Sequence, residues 1–172
     1  MMKRWIFYLI VFLQILFLSL MSISFYVMDA MGETIKLETA PVDPRDPFYG
    51  DYVALSYEIE QIPEDQWAVE KELDRGERVF LLLESNSKGI YELVEASKIW
   101  KEAEENQTVL RARYQWYDEI NKTYQVDIGL NRYFIEENTG EFYEERIGES
   151  VVEIVIAPWG HKKIASLEEG TE

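Results

Sequence analysis

The sequence predicts a mainly β domain, an antiparallel barrel or sandwich with a few short helices, behind one N-terminal transmembrane helix. Residues 5–28 contain no charged side chain. The remainder shows about eight short strands, with turn signals roughly every ten residues. Long helical patterns between the strands, which indicate a parallel βαβ sheet, are not found. We therefore divide the chain into a cytoplasmic stub at 1–4, a transmembrane helix at 5–28 and an extracytoplasmic β-rich domain at 29–172.

The uncharged run is long enough to cross a bilayer. Residues 5–28 give about 36 Å of helix at about 1.5 Å per residue, against a hydrocarbon core of about 30 Å. We interpret the run as an uncleaved anchor, because the apolar core of a cleaved signal peptide is usually about 7–15 residues long. Lys3 and Arg4 precede it, and a positive flank stays in the cytoplasm. The lipid bilayer is thus a predicted partner.

The strands are predicted from alternation of apolar and polar residues. The first covers 33–38, with Ile35 and Leu37 on one face. The second covers 53–59 and has apolar or aromatic groups on both faces, which favours a central position. Pro63 and the acids after it predict a short helix over 62–76. Further strands are predicted at 78–84, 90–96, 108–117, 124–130, 132–135, 151–157 and 162–167.

Composition excludes several classes of function. Residues 29–172 hold all 33 acidic residues and 15 of the 17 basic residues, so their net charge is 15 − 33 = −18. Such a domain repels nucleic acid and anionic headgroups. With no cysteine, thiol redox chemistry and sulfur-ligated zinc are excluded. No nucleophile elbow, phosphate loop or metalloprotease motif is present, so neither a catalytic set nor a cofactor is predicted.

The segment 41–59, PVDPRDPFYGDYVALSYEI, carries the most constraints. Three prolines in seven positions stiffen it, and a glycine then permits a turn into a strand. We name residues 41–52 the hallmark loop. Its charges either converge on a binding site or pin the loop to the sheet, and these two interpretations are compatible. The candidate binding residues are Asp43, Arg45, Asp46, Gly50, Asp51, Tyr52 and Tyr57, with Arg132 from a second segment.

That second segment, 129–137, combines a glycine, an Arg-Tyr-Phe strand and two acids. Either Arg132 and Glu136 or Glu137 face the hallmark loop, or the segment is an edge strand with a surface ion pair. The aromatic residues likewise fit either a binding platform or a filled core. They are Tyr114, Trp116, Tyr117, Tyr124, Tyr133, Phe142 and Tyr143. The single histidine, His161, is expected in an exposed turn.

The hallmark segment resembles the GDYXXLXY family of bacterial membrane-anchored proteins. Gly50, Asp51, Tyr52, Leu55 and Tyr57 match the pattern residue for residue. The resemblance implies a single-pass bacterial anchor with an extracytoplasmic β-rich domain, working beside an integral membrane protein. It carries over no catalytic residue.

The sequence therefore favours a non-enzymatic accessory or interaction module that docks through the PVDPRDPFYGDY loop. One alternative is a cell-envelope hydrolase whose acid pair is Asp46 with Asp51 or Glu58. Another is a sensor domain that binds a cation or small ligand. The hydrolase predicts a cleft in which one of these acids has a raised pKa.

Overall fold

The computed structural model describes residues 2–40, 52–134 and 150–169. One α-helix, α1 (Met2–Met31), comes first. The strands in chain order are β1 (Glu33–Ala40), β2 (Tyr52–Ala54), β3 (Ser56–Tyr57), β4 (Gln61–Pro63), β5 (Arg78–Ser85), β6 (Tyr91–Ser97), β7 (Gln107–Asp118), β8 (Thr123–Asp127), β9 (Arg132–Phe134), β10 (Ser150–Ile156) and β11 (Lys162–Glu169).

The strands pair antiparallel in three groups. A four-stranded sheet has the order β11-β10-β1-β3, a five-stranded sheet has the order β4-β8-β7-β5-β6, and β2 pairs with β9. The side chain of Thr108 on β7 donates a hydrogen bond to Glu33 on β1, which links the two larger sheets. The predicted mainly β fold behind an N-terminal apolar helix is confirmed.

The core lies between the sheets and follows the predicted alternation. On β5, Val79, Leu81 and Leu83 are fully buried while the residues between them are not. Ile35 and Leu37 of β1 face them from the other sheet. Burying such side chains stabilises by about 1.5–3 kcal/mol each, so this alternation specifies the sheet faces.

The chain passes from one sheet to the other at residues 56–63, which we call the corner. A 3₁₀ turn at Glu58–Glu60 joins β3 to β4. The Glu60 carboxylate is buried, and it accepts hydrogen bonds from the backbone N–H groups of Tyr57 (3.1 Å) and Ile128 (2.9 Å). Burial raises the pKa of this carboxyl group, and the two backbone donors partly offset that effect. Glu60 therefore ties the end of β3 to the residue that follows β8.

Two predicted elements differ from the structure. The expected central strand over 53–59 breaks at Leu55, and each piece has one partner strand among the described residues. The predicted helix over 62–76 is wrong, since it reduces to a 3₁₀ turn at Glu64–Gln66. Trp67 instead makes a β-bridge with Ala96 and stacks on Tyr124, with ring centroids 4.2 Å apart. These tertiary contacts outweigh a weak helical pattern.

The helix joins the sheet without a linker. Gly32 separates α1 from β1, and its N–H donates a hydrogen bond to the Met28 carbonyl at 2.9 Å. Met28 is buried against Val155 and Ala157 of the β10 end. A Cβ on Gly32 would lie 2.5 Å from Val155 Cγ1 and closer still to the Met28 carbonyl oxygen. The absence of a side chain here lets the helix end contact the sheet.

Replacing Glu60 with alanine should lower the free energy of unfolding by about 2–4 kcal/mol. Two buried N–H groups lose their acceptor, and each such loss costs about 1–3 kcal/mol. The measurement is chemical denaturation of the full chain in detergent, followed by tryptophan fluorescence. Glu70→Ala, at an exposed position, is the matched control and should stay within about 0.5 kcal/mol of wild type. Equal stability of the two variants would contradict the role of Glu60.

Replacing Gly32 with alanine should loosen the helix–sheet junction, because overpacking forces backbone shifts. The chain has no native cysteine, so spin labels at Ser22→Cys and Lys88→Cys report the distance between helix and domain. We expect a broader or shifted distance distribution in Gly32→Ala. Glu70→Ala, at an exposed position outside the junction, is the control. An unchanged distribution in Gly32→Ala would show that the junction does not depend on this contact.

Candidate functional site

The base of the hallmark loop is built by the second predicted segment. Strand β9 pairs with β2 in the register Tyr52 with Phe134 and Ala54 with Arg132. The Leu55 N–H extends this pairing by donating to the Asn131 carbonyl at 3.0 Å. The backbone therefore places Arg132 beside the strand that follows the loop, and the Arg132 side chain is exposed.

Two residues of the family pattern belong to the core. Leu55 is 3% exposed and Tyr57 is fully buried. The Tyr57 hydroxyl donates a hydrogen bond to the Leu130 carbonyl at 3.0 Å. Burial raises the pKa of this phenol well above its usual range. Tyr57 thus has no surface for direct contact with a partner, and it fastens the strand after the loop to the chain before β9.

The other candidates lie outside the described residues. These are Asp43, Arg45, Asp46, Gly50 and Asp51, and the acids Glu136 and Glu137 of the second segment. Of Tyr52, the structure describes the strand pairing. The binding roles proposed for these side chains remain predictions.

Ala40 and Ser150 lie together at the end of β1 that is far from the helix. Ala40 ends β1 and Ser150 begins β10, and the Thr39 hydroxyl donates to the Ser150 carbonyl at 2.9 Å. Because Ala40 pairs with Ser56, β2 continues beyond the end of β1. The strand β1 begins at the helix, so Ala40 and Ser150 lie roughly 23 Å from the helix junction along β1.

An acid pair occupies a separate cleft of about 270 Å³. Burial raises the pKa of Glu58, and the charge of Glu38, a hydrogen bond with Glu38 and the charge of Glu92 raise it further. All three acids line the cleft. Among the described residues no group of three or more carboxylate and histidine side chains could hold a metal ion.

The aromatic residues that the structure describes mostly fill the core. Tyr114, Tyr124 and Tyr133 pack against the main cluster of buried residues. Trp116 is 53% exposed, and Phe142 and Tyr143 lie outside the described residues. His161 is exposed in the turn between β10 and β11, as predicted.

Sequence reasoning missed two sets of residues. The first is Glu60, which directly follows the strand predicted over 53–59. The second is a group of cations, Arg78, Arg111, Arg113 and Lys162, that line one groove. They lie on three strands. Arg78 on β5 is paired with Arg113 on β7, and this strand register cannot be read from the sequence.

The fold defines a class of protein with one apolar N-terminal helix joined directly to a β-rich domain. The apolar span runs over Arg4–Met28, with a mean hydropathy of 2.5, and is long enough to cross a membrane. A family model described as GDYXXLXY protein matches residues 14–167. The chain belongs to this family, as the hallmark segment predicted. No curated protein and no solved structure matches the chain.

Proposed function

We propose that this protein is a membrane-anchored accessory module that docks onto an integral membrane protein. In this proposal residues 1–4 are a cytoplasmic stub and 5–28 cross a bacterial cell membrane. Residues 29–172 form the domain outside the cell. Docking takes place through the PVDPRDPFYGDY loop.

The observation that carries this proposal is the helix–sheet junction at Gly32. A domain on a long linker samples many orientations, whereas here Met28 packs directly against Val155 and Ala157. An anchor in the bilayer would thereby fix the orientation of the domain relative to the membrane. A fixed orientation favours docking onto another membrane protein, because less rotational freedom is lost on association.

The base of the hallmark loop supports docking through that loop. Leu55 and Tyr57 are held in the core, and Arg132 stands exposed on the neighbouring strand. Binding sites are commonly placed on loops that a rigid scaffold positions. In this proposal Asp43, Arg45, Asp46 and Asp51 provide the charged contacts, and Tyr57 fixes the strand that follows the loop.

The acid pair motivates a second candidate function, a cell-envelope hydrolase. The sequence analysis expected a raised pKa in one acid of such a pair and named Asp46 as the partner of Glu58. The pKa of Glu58 is raised, and the neighbouring acid is Glu38. A carboxyl group with a raised pKa next to a second acid is the kind of pair that glycoside hydrolysis uses.

Replacing Asp46 with alanine should remove a stoichiometric partner from the complex while the domain stays folded. The loss in co-purified partner should be about tenfold or more, because a hot-spot contact contributes about 2 kcal/mol or more. The measurement is crosslinking and quantitative pull-down of the full-length protein from native membranes. Asp65→Ala is the matched control, with the same charge change at an exposed position. An unchanged complex in Asp46→Ala would refute docking through this loop.

The hydrolase predicts that purified full-length protein releases new reducing ends from isolated envelope polysaccharide. Glu58→Gln should then lower the rate by about a hundredfold or more, since general acid–base catalysis contributes about 10²–10⁴-fold. Glu70→Gln, at an exposed position, should keep the full rate. A chain that releases no product, or a Glu58→Gln variant as active as wild type, removes this candidate.

A further inference from the structure

A groove of about 420 Å³ gathers positive charge on an otherwise acidic protein. The chain has a net charge of −16, yet Arg78, Arg111, Arg113 and Lys162 all line this groove, with Asp127 as its acidic member. Within the part of the chain that the structure describes, none of the four cations forms an ion pair with a carboxylate. The ion pairs found there join Lys36 to Glu153, Lys98 to Glu77 and Lys101 to Glu95. In an acid-rich domain this grouping differs from a solvated surface of mixed charge.

Two of the arginines stand directly opposite each other. Arg78 on β5 is the cross-strand partner of Arg113 on β7. Like charges in that position destabilise a sheet. Their neighbours Val79 and Ala112 are buried, so the two guanidinium groups share the outward face. A bound anion would turn this repulsion into attraction.

Two neighbouring residues approach the guanidinium group of Arg111. Its guanidinium carbon lies 5.9 Å from the ring centroid of Trp100. The second neighbour is Gly160, where an added Cβ would lie 2.8 Å from Nη1 of Arg111. Gly160 has φ +85°, a conformation that glycine adopts at little cost. The turn between β10 and β11 therefore approaches the guanidinium closely, and Arg111 is pre-oriented.

Lys162 completes the cationic wall. Its ammonium group donates a hydrogen bond to the Arg111 carbonyl. Burial lowers the pKa of Lys162 to about 8, against the opposing effect of Asp127 and Glu60. Its charge is thus kept in a partly desolvated setting, where an anion gains more from it than at an open surface.

The groove borders the end of the apolar helix. Trp159 and His161 line it, and the same two residues line a cleft against Met21 and Phe25 of α1. Tryptophan is enriched where a membrane protein meets the headgroup region. If α1 spans the bilayer as proposed above, the groove lies beside the outer part of the membrane span, near the headgroup region.

We infer that the groove formed by Arg78, Arg111, Arg113 and Lys162 binds the phosphate group of an anionic ligand. Guanidinium groups match phosphate oxygens in bidentate geometry. The phosphate comes either from a lipid headgroup or from a soluble phosphate. The lipid source rests on the proposed membrane anchoring. Binding of a soluble phosphate does not depend on membrane anchoring. Neither kind of phosphate binding tests docking through the hallmark loop, so failure of this inference is distinguishable from failure of the proposed function.

The test is calorimetric titration of the full-length protein in an uncharged detergent at low ionic strength. The probes are inorganic phosphate against a chloride blank, and dihexanoyl phosphatidylglycerol against dihexanoyl phosphatidylcholine. Arg78→Gln should weaken binding about tenfold or more, since a charge-assisted hydrogen bond is lost. Lys88→Gln makes the same charge change at an exposed turn and should bind as wild type does. Arg78→Gln should also raise the melting temperature by roughly 1–4 °C, because it relieves the repulsion with Arg113.

Binding of both inorganic phosphate and phosphatidylglycerol, weakened in Arg78→Gln alone, supports the site and shows that soluble phosphate suffices. Binding of phosphatidylglycerol alone, with the same loss, supports the site and assigns the lipid as its source. Wild type that binds neither probe, or equal binding by the two variants, overturns the inference. A lower melting temperature in Arg78→Gln would also overturn it, because the arginine would then be holding the fold.

Discussion

The buried carboxylate of Glu60 is the constraint on which the rest of this fold depends. The chain must leave one sheet at Tyr57 and enter the other at Gln61, and a sharp corner leaves backbone donors without strand partners. Two such donors, on Tyr57 and Ile128, reach separate oxygens of Glu60. Desolvating the acid is unfavourable, and its raised pKa records that effect. Leaving two buried N–H groups without an acceptor would be worse, so the acid is retained.

The corner also explains the spacing in the second half of the family pattern. Leu55 and Tyr57 are two residues apart, so both point into the core, and Tyr57 stands three residues before Glu60 on the other side of the turn. The Tyr57 hydroxyl and the Leu55 N–H both reach the chain just before β9, at Leu130 and Asn131. At Leu55 and Tyr57, the family pattern therefore reflects how this part of the chain is attached to the core and to the segment before β9. The first half of the pattern remains the part to which recognition is proposed.

The sequence predicted what depends on local periodicity. The strands β5 and β10 were expected at 78–84 and 151–157 and are found within a residue of those limits, because alternate apolar residues have to face one core. The helix predicted over 62–76 does not form. The stacking of Trp67 on Tyr124 stabilises this segment more than the hydrogen bonds of a short helix would. Glu60 gave no signal, since an acid at a strand end is ordinary on the surface. The opposition of Arg78 and Arg113 depends on strand register, which local patterns do not encode.

The corner and the cationic groove share a wall. Ile128 gives its N–H to Glu60 and also lines the groove, next to Asp127. The charges of Glu60 and Asp127 favour the protonated form of Lys162 against the effect of its burial. If solubility were the sole requirement, the 15 basic residues of this domain would be distributed among its 33 acidic residues. Instead, Glu60 and Asp127 favour the charged form of Lys162, which lines the same groove as the opposed pair Arg78 and Arg113. Grouping these cations lowers the stability of the fold, because like charges repel. Such an arrangement is understandable if an anion joins them.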